Sequence, residues 1–244
     1  MRNISSVINV YKKKNTNSKV VTQLLYGDTF KNLKKGKSWF KIKNERDNYE
    51  GYIKKNKFLP DQKNTHKIFK LSSTLYRKPN KKYKTKIKIS FGSRIKILQK
   101  KGNFCKFDNF WINIKDLKKI NTIDKNTFKN ISKFLKVKYV WGGKHYSGVD
   151  CSGLIQLFLN YNEKFCPRDA NQQIKYFKKK VKLKNIKKSD LIFWKGHVAV
   201  VISKQKLIHA YGPLKRVVIM SIKKTINKIY KTAGLSVIGI RRIS

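Results

Sequence analysis

Gly148-Val149-Asp150-Cys151-Ser152-Gly153-Leu154-Ile155-Gln156-Leu157-Phe158-Leu159-Asn160-Tyr161 passes from a glycine-bounded loop into a segment with Leu154, Ile155, Phe158 and Leu159 at helical spacing. The spacing predicts a helix over 152–161 with Cys151 at its start. A thiol there feels the positive end of the helix dipole, which favours the thiolate. The first N–H groups of the same helix can also receive an oxyanion. Asp150 and Ser152 flank the thiol and are polar enough to cap the helix or to hold a substrate.

A thiolate needs a base, and the chain has 4 histidines. His197 opens the apolar run Val198–Ile202, and His209 ends the run Leu207–Ile208. Lys204-Gln205 lies between the two runs as a polar hairpin connection. An antiparallel pair of strands would bring His197 and His209 together, one to pair with the thiol and one to orient the first. Two other readings compete. A lone buried cysteine is usually a small hydrophobe. Cys151, His197 and His209 could also hold a metal, but the chain has no HExxH or HxH, and one Cys with two distant His is a weak zinc pattern. No metal and no cofactor are expected. Of the other cysteines, Cys105 between Phe104 and Phe107 reads as core, and Cys166 before Pro167 as structural or exposed.

Outward from this site, the second half reads as helices followed by strands. Thr127 to Val137 has apolar residues at 128, 131, 134, 135 and 137, which predicts a helix. Strands follow at 191–194, 198–202, 207–210, 217–222 and 237–240, so residues 121–244 are expected to form a segregated α+β domain. The first half reads differently. Short aromatic and β-branched runs separated by polar turns predict a small barrel over residues 1–60. Residues 61–120 answer it in order: Leu75-Tyr76 to Val10-Tyr11, 91–98 to 26–33, 101–107 to 35–42, and Phe110-Trp111-Ile112 to Gly51-Tyr52-Ile53. A repeat of this length predicts two like modules, and both resemble bacterial SH3-type domains.

Composition bounds the class. With 40% hydrophobic and 12% aromatic residues the chain can build real cores. The net charge of +48 invites a nucleic-acid reading. Yet the lysines run from Lys12 to Lys231 without forming a stripe, and Lys, Asn and Ile are together the residues of AT-rich codons. The bias is therefore read as compositional, with a general attraction for acidic substrates, and no nucleic-acid partner is expected. The 3 cysteines include no CxxC pair, which points to reduced thiols. Met1 to Tyr11 lacks the apolar stretch of a signal peptide, and no run is long enough to span a membrane. The expectation is a cytoplasmic protein with no membrane partner, with a periplasmic or secreted location as the alternative.

Six blocks carry a resemblance: Tyr139-Val140-Trp141-Gly142-Gly143, Gly148 to Leu154, Pro167-Arg168-Asp169 with Gln172, Asp190-Leu191-Ile192-Phe193-Trp194, Gly196 to Val201, and Leu207-Ile208-His209-Ala210. In this order and spacing they resemble the NlpC/P60 peptidases. The resemblance implies a papain-like α+β catalytic domain preceded by two small all-β SH3-like barrels. It implies Cys151 as nucleophile, His197 as general base, His209 as the orienting third residue, and cleavage of amide bonds in peptidoglycan stem peptides.

SH3-like modules ahead of such a domain resemble the γ-D-glutamyl–diamino acid endopeptidases. This implies cleavage of peptidoglycan-derived peptides with a free N-terminal L-Ala, recognised through Asp150, Ser152 and a tyrosine of the first module. Tyr49, in Asp47-Asn48-Tyr49-Glu50-Gly51-Tyr52, is the candidate, against the plain reading of a barrel aromatic. Asp169 is a further substrate-binding candidate, although Ala170 replaces the small polar residue expected after it. A wall hydrolase acting on intact peptidoglycan and a non-catalytic binder of anionic polymers are the alternatives.

Overall fold

The structure is a computed structural model and describes residues 1–243. The chain divides into two compact units, residues 1–122 with 142–146, and residues 123–141 with 147–243.

The first unit is all β apart from two short 3₁₀ turns. One five-stranded antiparallel sheet runs in the order Val20–Leu25, Val7–Tyr11, Glu50–Lys54, Trp39–Asn44, Phe30–Lys35. A second sheet runs Lys84–Ser90, Ser72–Tyr76, Phe110–Asn113, Phe104–Phe107, Gln99–Lys101. The strand order is the same in both, element for element. Tyr11 pairs with Tyr52 in the first sheet, and Tyr76 pairs with Trp111 in the second. These are the positions that the sequence repeat aligns. Alternation of side chains along each strand sends one set inward. Val10, Leu24, Phe30, Ile42 and Ile53 form one core, and Ile68, Leu75, Ile89, Cys105 and Ile112 another.

The two cores are locked together within this unit. Tyr26, from the first sequence repeat, is buried in the second core. Its hydroxyl donates to Asp108, and both Asp108 oxygens take hydrogen bonds from Arg2 at 2.9 and 2.6 Å. Gly27 follows at φ +82, where a Cβ would stand 1.9 Å from the Arg94 carbonyl oxygen. Only glycine fits both that conformation and that approach.

The segment 142–146 is the departure from the linear division at 120. It lies inside the first unit, where the Lys144 N–H donates to Gln23 Oε1 at 2.8 Å and the Tyr146 N–H to Ser90 Oγ at 2.9 Å. Gly142 takes φ +75 with its α-carbon pressed on Val20, so that a Cβ would meet the Val20 carbonyl oxygen at 2.5 Å.

The second unit centres on a five-stranded antiparallel sheet in the order Arg216–Ser221, Lys206–Tyr211, His197–Val201, Leu191–Trp194, Gly239–Arg241. Leu191 to Trp194 and Val198 to Val201 are buried throughout, as in strands covered on both faces. Helix α1, Cys151–Tyr161, packs on the strands His197–Val201 and Lys206–Tyr211. Helix α2 spans Ala170–Tyr176 and α3 Ile222–Ala233. Ile222 and Ile229 of α3 join Ile192, Trp194, Ala199, Val201 and Leu207 in one core.

Two expectations are corrected here. The segment 127–137 is not an α-helix. It is a series of tight turns with a 3₁₀ helix at Ile131–Phe134. Its hydrogen bonds reach back three residues, as from the Ile131 N–H to Phe128 O and from the Val137 N–H to Phe134 O. The buried apolar residues are Phe128, Ile131, Phe134 and Val137, a period of three, while Leu135 is exposed. A period of three is the 3₁₀ repeat. Secondly, helices do not all precede the strands, because α3 intervenes before the last strand. Ser221 caps its start and Gly234, at φ +65, its end. Among the described residues no helix is long and apolar enough to cross a membrane.

Candidate active site

Helix α1 begins at Cys151 because Asp150 stops the chain in an extended conformation and caps it. Its carboxylate accepts the Gly153 N–H at 2.6 Å. Cys151 is 6% exposed, and its thiol is buried. It points at the Gly196 carbonyl, 3.9 Å away, and takes a main-chain hydrogen bond from Val198. The thiol is thus seated against the two neighbours of His197. Gly196 takes φ +74, the turn that opens the strand.

His197 and His209 lie on neighbouring antiparallel strands whose register is fixed by Val200↔Ile208 and Val201↔Leu207. Extended to the strand ends, that register puts the two rings on one face as diagonal neighbours. Nε2 of His197 and Nδ1 of His209 share a hydrogen bond of 2.8 Å. Aromatic rings surround the pair. Tyr211 stacks on His209 at 4.7 Å between centroids, and Trp194 lies 5.6 Å from His197. On its other side, Nε2 of His209 meets the Met220 sulfur at 3.4 Å.

Burial sets the resting protonation. It pushes the Cys151 thiol up to about 12, with the Asp150 charge acting the same way, while main-chain hydrogen bonds and Arg168 pull it back. It pulls His197 down to about 4, against the Asp150 charge, and His209 down to about 3 with His197 adding to the effect. Burial thus works against charge on the thiol and on both imidazoles. Burial of the thiol acts against the thiolate that the helix terminus favours. A neutral imidazole is the form that can take a proton.

Asp150 is not the bare carboxylate that the sequence invited. The Arg168 guanidinium, fully buried, holds both its oxygens at 2.9 and 2.6 Å and also reaches Ser152 Oγ at 3.0 Å. Ser152 Oγ in turn donates to Asp150 at 3.3 Å. Asp150 and Ser152 are thus brought together with Cys151, but inside a closed network. Asp169 stands half-buried at the start of α2 and acts electrostatically on Arg168. Tyr49 belongs to the first unit, half-buried in the turn between Trp39–Asn44 and Glu50–Lys54, with its N–H on Asp47 at 3.0 Å. Cys105 and Cys166 are both fully buried, so Cys166 is structural and not exposed. Gln172 of the recognised block is exposed, and it is Gln173 that is buried, donating to the Ser152 and Pro167 carbonyls. Among the described residues no three His, Cys, Asp or Glu side chains are grouped as metal ligands.

Residues 136–235 match the model of the NlpC/P60 family, and residues 5–60 that of the bacterial SH3 domain. The chain carries an NlpC/P60 domain. A gamma-D-glutamyl-L-lysine dipeptidyl-peptidase of Bacillus subtilis (strain 168) is 27% identical over 239 residues, covering 86% of this chain and 79% of the relative. Dipeptidyl-peptidase 6 of Lysinibacillus sphaericus is 32% identical over 85 residues, 35% of this chain and 31% of the relative. An NlpC/P60 family protein from Bacillus cereus superposes with a TM-score of 0.83 over 99% of this chain and 98% of its own, at 19% identity, which is a likeness of fold. The NlpC/P60 domain is that of a cysteine peptidase, a hydrolase.

Four residues of this NlpC/P60 site escape a reading of the sequence. Tyr211 could have been found, since it lies two residues beyond His209 and so on the same strand face. Arg168 stood inside a recognised block, but nothing local shows that its charge is buried. Tyr139 lies close enough for Cys151 and Asp150 to raise its hydroxyl pKa beyond the effect of burial. Met220 meets His209 only through the pairing of Lys206–Tyr211 with Arg216–Ser221.

Proposed function

We propose that this chain is a cysteine endopeptidase that hydrolyses the γ-D-glutamyl–diamino acid bond of peptidoglycan stem peptides with a free N-terminal L-Ala, in the recycling of such peptides in the cytoplasm. One observation carries the reading. The Cys151 thiol, at a capped helix start, is seated on the strand opening that bears His197, and His197 is hydrogen-bonded to His209. In this reading His197 takes the thiol proton as sulfur attacks the scissile carbonyl. The first N–H groups of α1 face the developing oxyanion. The proton then passes to the leaving amine, and water hydrolyses the thioester to release the acid and restore the thiol. His209 holds the His197 ring.

The bond class is supported by the likeness to the gamma-D-glutamyl-L-lysine dipeptidyl-peptidase of Bacillus subtilis, which aligns over most of this chain. Asp150, Ser152, Asp169 and Tyr49 are the proposed substrate contacts. With Asp150 and Ser152 committed to Arg168, their part is to shape the helix start, and their grip on an ammonium is weaker than a bare carboxylate would give. The repeated strand order supports residues 61–120 as a second SH3-like barrel beside 1–60, with 121–244 as the peptidase domain. A second reading, a wall hydrolase acting on intact peptidoglycan, is favoured by the bacterial SH3 match at 5–60. Matched peptides with free and acetylated L-Ala, together with intact sacculi, separate the two. Cleavage of the free peptide alone supports recycling, cleavage of sacculi supports the wall enzyme, and hydrolysis of none leaves a binding protein.

A further inference from the structure

The outer nitrogen of His209 has no part in the chemistry just described, yet it is the end of the hydrogen-bonded chain on which that chemistry depends. His209 is 1% exposed, and its Nε2 stands 3.4 Å from the Met220 sulfur. The strand register delivers this contact. His209 pairs with Val218 and Leu207 with Met220, so Met220 lies two residues from His209's partner and on the same face. Its packing against the core of Ile192, Ala199 and Ile222 fixes the side chain there.

A thioether sulfur has lone pairs and no hydrogen, so it can only accept. We propose that Met220 sets the tautomer of both histidines and so makes Nδ1 of His197 the base. This rests on reading Cys151, His197 and His209 as the catalytic set. A neutral imidazole carries one ring hydrogen. Facing the sulfur, His209 places it on Nε2, which leaves Nδ1 bare. The bare Nδ1 accepts from His197 across 2.8 Å, so the His197 hydrogen sits on Nε2. Nδ1 of His197 is then bare and free to take the thiol proton. The opposite tautomer would set the Nε2 lone pair of His209 against the lone pairs of sulfur. It would also move the His197 hydrogen to Nδ1, where it blocks proton uptake. Burial keeps both rings neutral, so the tautomer is the variable that remains.

The chain has 2 methionines, Met1 and Met220, so biosynthetic replacement by norleucine exchanges this sulfur for a methylene at nearly constant volume. Two measurements on the full-length protein test the idea. Nitrogen-15 spectra of the ring nitrogens at neutral pH should show hydrogen on Nε2 of both His197 and His209 in the native protein. Hydrogen on Nδ1 of His209 overturns the proposal outright. In the norleucine protein His209 should populate both tautomers, and kcat should fall about tenfold with KM unchanged, the scale of a partly misplaced proton acceptor. An unchanged spectrum with full kcat overturns it as well. The spectra need no turnover, so they stand apart from the peptidase reading: turnover by Cys151→Ala protein would sink that reading and leave the tautomer result in place.

Discussion

Arg168 holds both carboxylate oxygens of Asp150, the residue immediately before Cys151, with both side chains buried. A buried pair of this kind costs most when half of it is removed, because a charge is left without an answer. Arg168→Met should therefore destabilise the protein by about 3–5 kcal/mol. It should also slow Cys151, since the uncompensated Asp150 charge opposes thiolate formation. The double variant Arg168→Met with Asp150→Asn removes both charges and should recover part of the stability and of the alkylation rate. Chemical denaturation and the pH dependence of iodoacetamide labelling measure the two effects. Additive losses in the double variant would contradict the coupling.

The nucleophile and base are tested by truncation. Cys151→Ala should abolish turnover and leave the circular dichroism spectrum unchanged. His197→Ala should cost more activity than His209→Ala, because one moves the proton and the other places the ring that does. Steady-state kinetics on the free L-Ala peptide give the comparison, and full activity in both histidine variants would remove them from the site.

Acid should act through the buried histidines. His145, His197 and His209 are held at about 4, 4 and 3, below the ordinary 6.5. Between these values the unfolded chain binds protons that the folded chain does not. Stability is therefore full above about 6.5 and is lost as pH falls toward about 4. Denaturant midpoints measured from pH 7 to pH 4 should fall continuously, and replacing His145 by Phe should flatten the slope. Activity that depends on neutral His197 should persist well below pH 6.

Gly27→Ala should be among the most harmful changes in the first unit. It sets a methyl group against the Arg94 carbonyl at a φ of +82. The strained conformation and the clash together should lower stability by more than the roughly 1 kcal/mol of an ordinary glycine replacement. Thermal unfolding of the first unit, followed by Trp39 or Trp111 fluorescence, reads this out, and an unchanged transition would mean the backbone yields.

The sequence shows some of this structure directly because the deciding signals are local. Cys151 to Tyr161 carries its cap, its apolar stripe and its thiol within a few residues. The hairpin between His197 and His209 follows from two apolar runs and a short polar link. The sheet repeat is readable because Tyr11 and Tyr52 have counterparts in Tyr76 and Trp111. Other features depend on what residues meet at long range. The period of three at Phe128, Ile131, Phe134 and Val137 also satisfies a helical template, and only the hydrogen bonds decide between them. The burial of Arg168 needs Asp150 from another element, and the contact of Met220 with His209 needs the strand register. Helix α3 was not read from the sequence, because the apolar run 217–222 reads as a strand that passes over its cap at Ser221.

The residence of Gly142–Tyr146 in the first unit has a bearing on synthesis. Gln23 and Val20 leave the ribosome well before Lys144 and Gly142, which meet them and emerge some 20 residues after Thr122. At about 5–20 residues per second this is a delay of roughly one to four seconds. During that interval the amino-terminal barrel region must hold its shape with one strip of its surface unfinished. The strip is closed by the same stretch of polypeptide that next delivers Cys151, so completion of the first unit and arrival of the thiol are consecutive events on the nascent chain.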